Sequence, residues 1–141
     1  MIPYEHKIQY YETDQMKIVH HSNYIRWFEE ARCALLDAVG CGYETVEQRG
    51  IVSPVLDVSA EYKSMARFGE TVVIDASVSL YNGFRFNITY TVCDRESGEV
   101  RCIGETRHCF LSADGKAVNL RKTAPDLHEI LTQLAADTNE K

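Results

Sequence analysis

The sequence predicts a two-layer α+β domain, on three observations. Val72, Ile74, Ala76, Val78 and Leu80 alternate along 71–81, and Phe84, Phe86, Ile88, Tyr90 and Val92 alternate along 84–93, the period of half-buried strands. Between these runs stands Asn82-Gly83, a signal for a two-residue hairpin, so the strands are antiparallel. Trp27, Phe28, Ala31, Leu35, Ala38 and Val39 recur at spacings of three and four, which puts them on one stripe of a helix. One strongly apolar helix laid on one face of an antiparallel sheet makes two layers.

The remaining elements follow along the chain. Tyr4, His6, Ile8 and Tyr10 alternate within residues 3–11 and predict a first strand. A polar turn, Glu12 to Lys17, separates it from the short apolar piece Ile18-Val19. The helix is expected from near Tyr24, with Ser22 or Asn23 as its N-cap, and is expected to end at Gly40 and Gly42. Arg26 with Glu30, and Glu29 with Arg32, have the spacing of ion pairs on a solvated face. Ile51 to Tyr62 reads as a strand interrupted at Pro54, 67–70 as a turn, and Val100 to Leu111 as a last long strand. Thr123, Pro125 and Asp126 resemble a capped helix start, and Leu127, Ile130, Leu131 and Leu134 give that helix its stripe. Residues after Ala136 read as a polar, frayed tail. Residues 1–141 are expected to form a single domain without internal repeats or linkers.

Composition narrows the function. The chain has 45% hydrophobic and 26% charged residues, typical of a globular protein. A formal net charge of −6 argues against nucleic acid as the main partner, which needs a broad basic surface. No run approaches the roughly 20 apolar residues of a membrane span, and Met1 to Tyr11 lacks the apolar core of a secretory signal, so a cytoplasmic location is expected. The five cysteines are odd in number and form no Cys-x-x-Cys pair, so they read as buried, reduced thiols.

The chemistry concentrates in residues 11–24. This stretch holds Glu12, Asp14, His20 and His21 just ahead of a helix N-terminus. Such a terminus offers unpaired N–H groups and partial positive charge, which suit an oxyanion. A carboxylate beside it can act as general base or nucleophile. The combination suits acyl transfer to water. The same residues also suit an ordinary polar turn with surface histidines, and composition does not choose between the two.

Thr13-Asp14-Gln15-Met16, then Val19, His21, Asn23-Tyr24 and Arg26 to Glu29, resemble the signature of the 4-hydroxybenzoyl-CoA thioesterase family, especially its branch of Tol-Pal-associated acyl-CoA thioesterases. Tyr62 to Glu70 is similar to that family's strand-to-strand turn. The resemblance implies a hotdog fold, in which a five-stranded antiparallel sheet wraps a long helix, here followed by a C-terminal helix. It implies hydrolysis of an acyl-CoA thioester in homodimers or homotetramers, with sites at the dimer interface. Asp14 matches the catalytic aspartate, and the Tyr24 N–H matches the donor to the thioester carbonyl. His21 and Asn23 match positions lining the same turn. CoA is then part of the substrate, and neither a cofactor nor a metal is needed. Lys63, Arg67 and Arg85 are the candidate cations for its phosphates. The chain departs from the pattern at Lys17, where glycine is usual, and at His20, where tyrosine is common. Two other readings stay open: a hotdog dehydratase or hydratase acting on acyl thioesters, and a non-catalytic acyl-thioester-binding domain.

Overall fold

A computed structural model describes residues 3–139. Its frame is an antiparallel five-stranded sheet made of β1 (Tyr4–Lys7), β3 (Val55–Tyr62), β4 (Thr71–Tyr81), β5 (Arg85–Asp94) and β6 (Val100–Cys109), in the order β1-β4-β5-β6-β3. A minor ribbon pairs β2 (Ile51–Val52) with β7 (Leu111–Ser112). The long helix α1 (Ser22–Ala38) lies against the sheet, and α4 (Pro125–Asn139) packs on β4. Two short helices, α2 (Tyr43–Gln48) and α3 (Leu120–Thr123), complete the described chain. This is the hotdog arrangement that the resemblance implied.

The stripe of α1 forms the core. Trp27 and Phe28 are fully buried, with Tyr24, Ala31, Leu35 and Leu36 beside them. The ring of Phe28 stacks on that of Tyr90 from β5, with centroids 4.4 Å apart. Gly104 of β6 makes that approach possible. A Cβ there would collide with the Phe28 ring and stand 2.7 Å from the Ser59 carbonyl oxygen. Helix α1 ends in a Schellman motif: Gly40, at φ 84°, donates to Asp37 O at 3.2 Å, and Cys41 donates to Leu36 O at 2.9 Å.

The structure corrects several expectations. The first strand stops at Lys7, and Tyr10–Glu12 is a single 3-10 turn that leaves Tyr10 exposed. Neither Ser22 nor Asn23 caps α1; the helix begins at Ser22, whose N–H donates to the His20 ring at 3.2 Å. Arg32 is buried rather than solvated, and donates to the hydroxyls of Tyr43 at 2.6 Å and Tyr90 at 3.0 Å. The Asn82-Gly83 hairpin is wider than two residues, because the Asn82 side chain accepts from the N–H groups of Phe84 and Arg85 and Tyr81 pairs with Phe86. Leu80 is exposed because a register shift between Val78 and Leu80 reverses the alternation. Thr123 ends α3 instead of capping α4, which runs on to Asn139; only residues 140–141 of the expected frayed tail lie outside the described residues. The break at Pro54 falls where it was expected, between β2 and β3. The five thiols are all free, but only Cys41 and Cys102 are fully buried.

Candidate active site

The loop between β1 and α1 is held by a buried carboxylate. Glu12 is 4% exposed. Its Oε1 accepts from the Gln9 N–H at 2.8 Å and lies 2.8 Å from His6 Nε2, while its Oε2 accepts from Trp27 Nε1 at 2.7 Å. Its carbonyl oxygen accepts from the His20 N–H at 2.8 Å and from Asn23 Nδ2 at 2.9 Å. Burial pushes the Glu12 carboxyl up, but the hydrogen bonds from Gln9, His6 and Trp27 outweigh it and hold the group below its usual range. One residue thus joins strand, loop and helix.

From that anchor the chain forms a tight loop that presents Asp14. The Asp14 N–H donates to Ile18 O at 2.9 Å, and its carbonyl accepts from the Lys17 N–H at 2.9 Å. Its Oδ1 accepts from the Met16 N–H at 2.8 Å, which commits one carboxylate oxygen and fixes the side chain. Lys17 closes the turn at φ 65°, the one positive φ outside glycine among the described residues. The departure from glycine therefore falls where a left-handed residue is required. Val19 donates to Ala66 O at 2.9 Å and fastens the loop to the segment after β3.

Between loop, helix start and β3 lies a cleft of 300 Å³ whose walls include Asp14, His21, Tyr24, Tyr62, Ser64 and Met65. The first turn of α1 points its N–H groups to this end. The Tyr24 N–H reaches His21 O at 3.3 Å, a long bond. His21 is exposed and stacks on His20 at 4.2 Å. The opposite wall is set by Arg101, 7% exposed, which donates to Ser64 Oγ at 3.1 Å and reaches Glu70 and Glu99. The backbone N–H groups of Lys63 and Ser64 both donate to Arg101 O.

The structure brings Asp14, His21 and Tyr24 to one cleft, and Lys63 lines it too. Lys63 Nζ lies 2.6 Å from Glu61 Oε1. Asn23 is buried behind the cleft, bonded to the Glu12 carbonyl and accepting from Arg26 at 3.1 Å, so it positions the loop. Arg67 is exposed beyond the loop, where its backbone pairs with Ile18. Arg85 is not brought to the cleft within one chain. It pairs with Cys109, whereas Lys63 bonds Arg101, eight residues or roughly 26 Å away along β6. Reading the sequence missed the parts played by Glu12, Tyr62 and Arg101. Glu12 and Tyr62 lie within the stretches 11–24 and 62–70, but no spacing rule links them to Trp27 or to the helix start.

Residues 8–134 match the model of the thioesterase-like superfamily. YneP of Bacillus subtilis, assigned by name to acyl-CoA thioesterases, is 37% identical over 88% of this chain and 90% of its own. Among solved structures, the DHNA-CoA thioesterase of Staphylococcus aureus superposes with a TM-score of 0.91 at 33% identity, over 99% of this chain and 93% of that one. TT1821 of Thermus thermophilus superposes with a TM-score of 0.86 at 32% identity, over 95% and 99% of the two chains. The chain belongs to the thioesterase-like superfamily, whose hotdog fold it adopts.

Proposed function

We propose that this thioester hydrolase cleaves acyl-CoA to a free acid and CoA, with Asp14 as its catalytic carboxylate. The observation that carries the reading is the shared cleft: Asp14 and Tyr24, the third residue of a 17-residue helix, line one cavity, and the Tyr24 N–H, in the first turn of that helix, is held only by a long 3.3 Å bond to His21 O. The thioester oxygen sits at the helix start, where N–H groups and the helix dipole stabilise the charge that develops on it. Asp14 then either takes a proton from the attacking water or attacks the carbonyl carbon to form a mixed anhydride that water hydrolyses. Both routes use only this chain, water and substrate, with no metal or cofactor. The names of YneP and of the Staphylococcus aureus enzyme support CoA as the thiol carrier. The residues Thr13 to Met16, His21 and Asn23-Tyr24 support the 4-hydroxybenzoyl-CoA thioesterase family and its Tol-Pal-associated branch. His21 lines the cleft, and Lys63 is the cation best placed for a CoA phosphate.

The working unit in this reading is a homodimer, alone or paired into a tetramer. Strand β3 ends the sheet, and Val55, Leu56, Val58 and Tyr62 are exposed along it. A long apolar edge strand is a template for pairing with a second copy. The cytoplasm is the fitting compartment, since its reducing poise keeps five free thiols unpaired.

The experiment is thiol release from a panel of linear and aromatic acyl-CoA thioesters. The account predicts free CoA from at least one of them, in step with loss of thioester. A 3-hydroxyacyl-CoA in the panel that gives enoyl product and water without thiol would point to the dehydratase, and binding without turnover to a non-catalytic acyl-thioester-binding domain; either result would overturn the proposal.

A further inference from the structure

We propose that the Tyr62 hydroxyl is a second donor of the oxyanion site, acting beside the Tyr24 N–H. The inference rests on the acyl-CoA hydrolase reading above. Its basis is convergence: the Tyr62 hydroxyl donates to His21 O at 3.2 Å, and the Tyr24 N–H donates to the same oxygen at 3.3 Å. Two donors from different elements, β3 and α1, therefore reach one point at the helix start, in the cleft that also holds Asp14. Both bonds are longer than usual, the N–H···O bond beyond about 3.2 Å and the O–H···O bond beyond about 3.0 Å, so neither donor is firmly engaged. The phenolic O–H turns about its C–O bond and re-aims without moving the ring.

The surroundings fit a donor that faces substrate. Tyr62 is 47% exposed, its ring tilted against that of Tyr24 with centroids 5.3 Å apart and in an edge-to-face arrangement with that of His21 at 6.3 Å. Its backbone is fixed by pairing with Cys102 and by the Arg101 clamp on the next two residues. Burial, followed by the nearby Cys102, raises the phenol above its ordinary value, so the group keeps its proton at neutral pH and donates without transferring it.

The step balances without a further reactant. As Asp14 or water adds to the carbonyl carbon, the C=O π pair moves onto oxygen, which accepts from the Tyr24 N–H and the Tyr62 O–H. On collapse the C=O bond re-forms and the C–S bond breaks, with its electron pair leaving on sulfur. In the water route the proton taken by Asp14 passes to that thiolate.

The test compares wild type, Tyr62→Phe and Tyr62→Leu by kcat, KM and Tm on the acyl-CoA that wild type hydrolyses best. Tyr62→Phe keeps the ring and removes the donor, so kcat should fall by about 10²-fold with KM and Tm nearly unchanged. Tyr62→Leu should show the same loss in kcat and a raised KM as the aromatic wall is lost. An active wild type with an unaffected Tyr62→Phe variant overturns this inference alone. So does a fall in kcat matched by a fall in Tm, which marks a merely structural bond. A wild type that releases no thiol overturns the underlying reading and this inference with it.

Discussion

Trp27 of the central helix and Glu12 of the preceding loop form a buried pair, with the indole N–H 2.7 Å from Oε2. The bond fixes where the loop departs from the helix, two residues before Asp14. Trp27 is fully buried, so its loss removes both packing and the carboxylate's partner. Trp27→Ala should destabilise the protein by roughly 3–5 kcal/mol. Trp27→Phe, which keeps much of the ring but strands the buried oxygen, should cost about 1–3 kcal/mol. Urea denaturation measures both, and an unchanged midpoint for Trp27→Ala contradicts this role.

Glu12 also makes stability depend on pH. Its carboxyl lies below the ordinary 4.5 when folded, so the stability it adds is present above that value and is lost as pH falls through the folded one. Glu12→Gln should be less stable than wild type at pH 7, and the gap should narrow as pH drops below about 4. A gap that stays constant from pH 7 to pH 3 rules this out.

Lys17 carries its left-handed conformation at a cost of about 1 kcal/mol. Glycine removes that cost but adds unfolded-state entropy, so Lys17→Gly should be neutral or slightly stabilising, with turnover retained. A large, salt-sensitive rise in KM at unchanged Tm would instead give the Lys17 ammonium a part in binding.

The unpaired outer edge of β3 predicts a homo-oligomer in solution, at least a dimer. Sedimentation equilibrium over a range of concentrations checks this. A stable, fully active monomer contradicts it.

Much of the fold was legible in periodicity. The alternation of 71–81 and 84–93 and the stripe from Trp27 to Leu35 gave the sheet and the central helix, because burial on one face leaves a period in the chain. What was not legible depended on partners distant in sequence. Arg32 reads as a surface charge until Tyr90, 58 positions away, meets it in the core. Tyr10 continues the alternation of β1, yet Glu12 turns the chain before it. Of the site, the Asp14 loop was visible as a motif, and the resemblance supplied its chemistry. Tyr62 stood in view as the end of a strand and the start of the Tyr62 to Glu70 turn, but its relation to His21 spans 41 positions and leaves no mark in the sequence.

The central claim is that Asp14 performs the chemistry. Asp14→Asn keeps the size and polarity of the side chain and can still accept from the Met16 N–H, so the fold should be retained. It cannot act as base or as an equivalent nucleophile. The decisive measurement is thiol release by folded Asp14→Asn beside wild type, on the same acyl-CoA and at matched Tm. The account predicts loss of most turnover, whereas turnover comparable to wild type would contradict it.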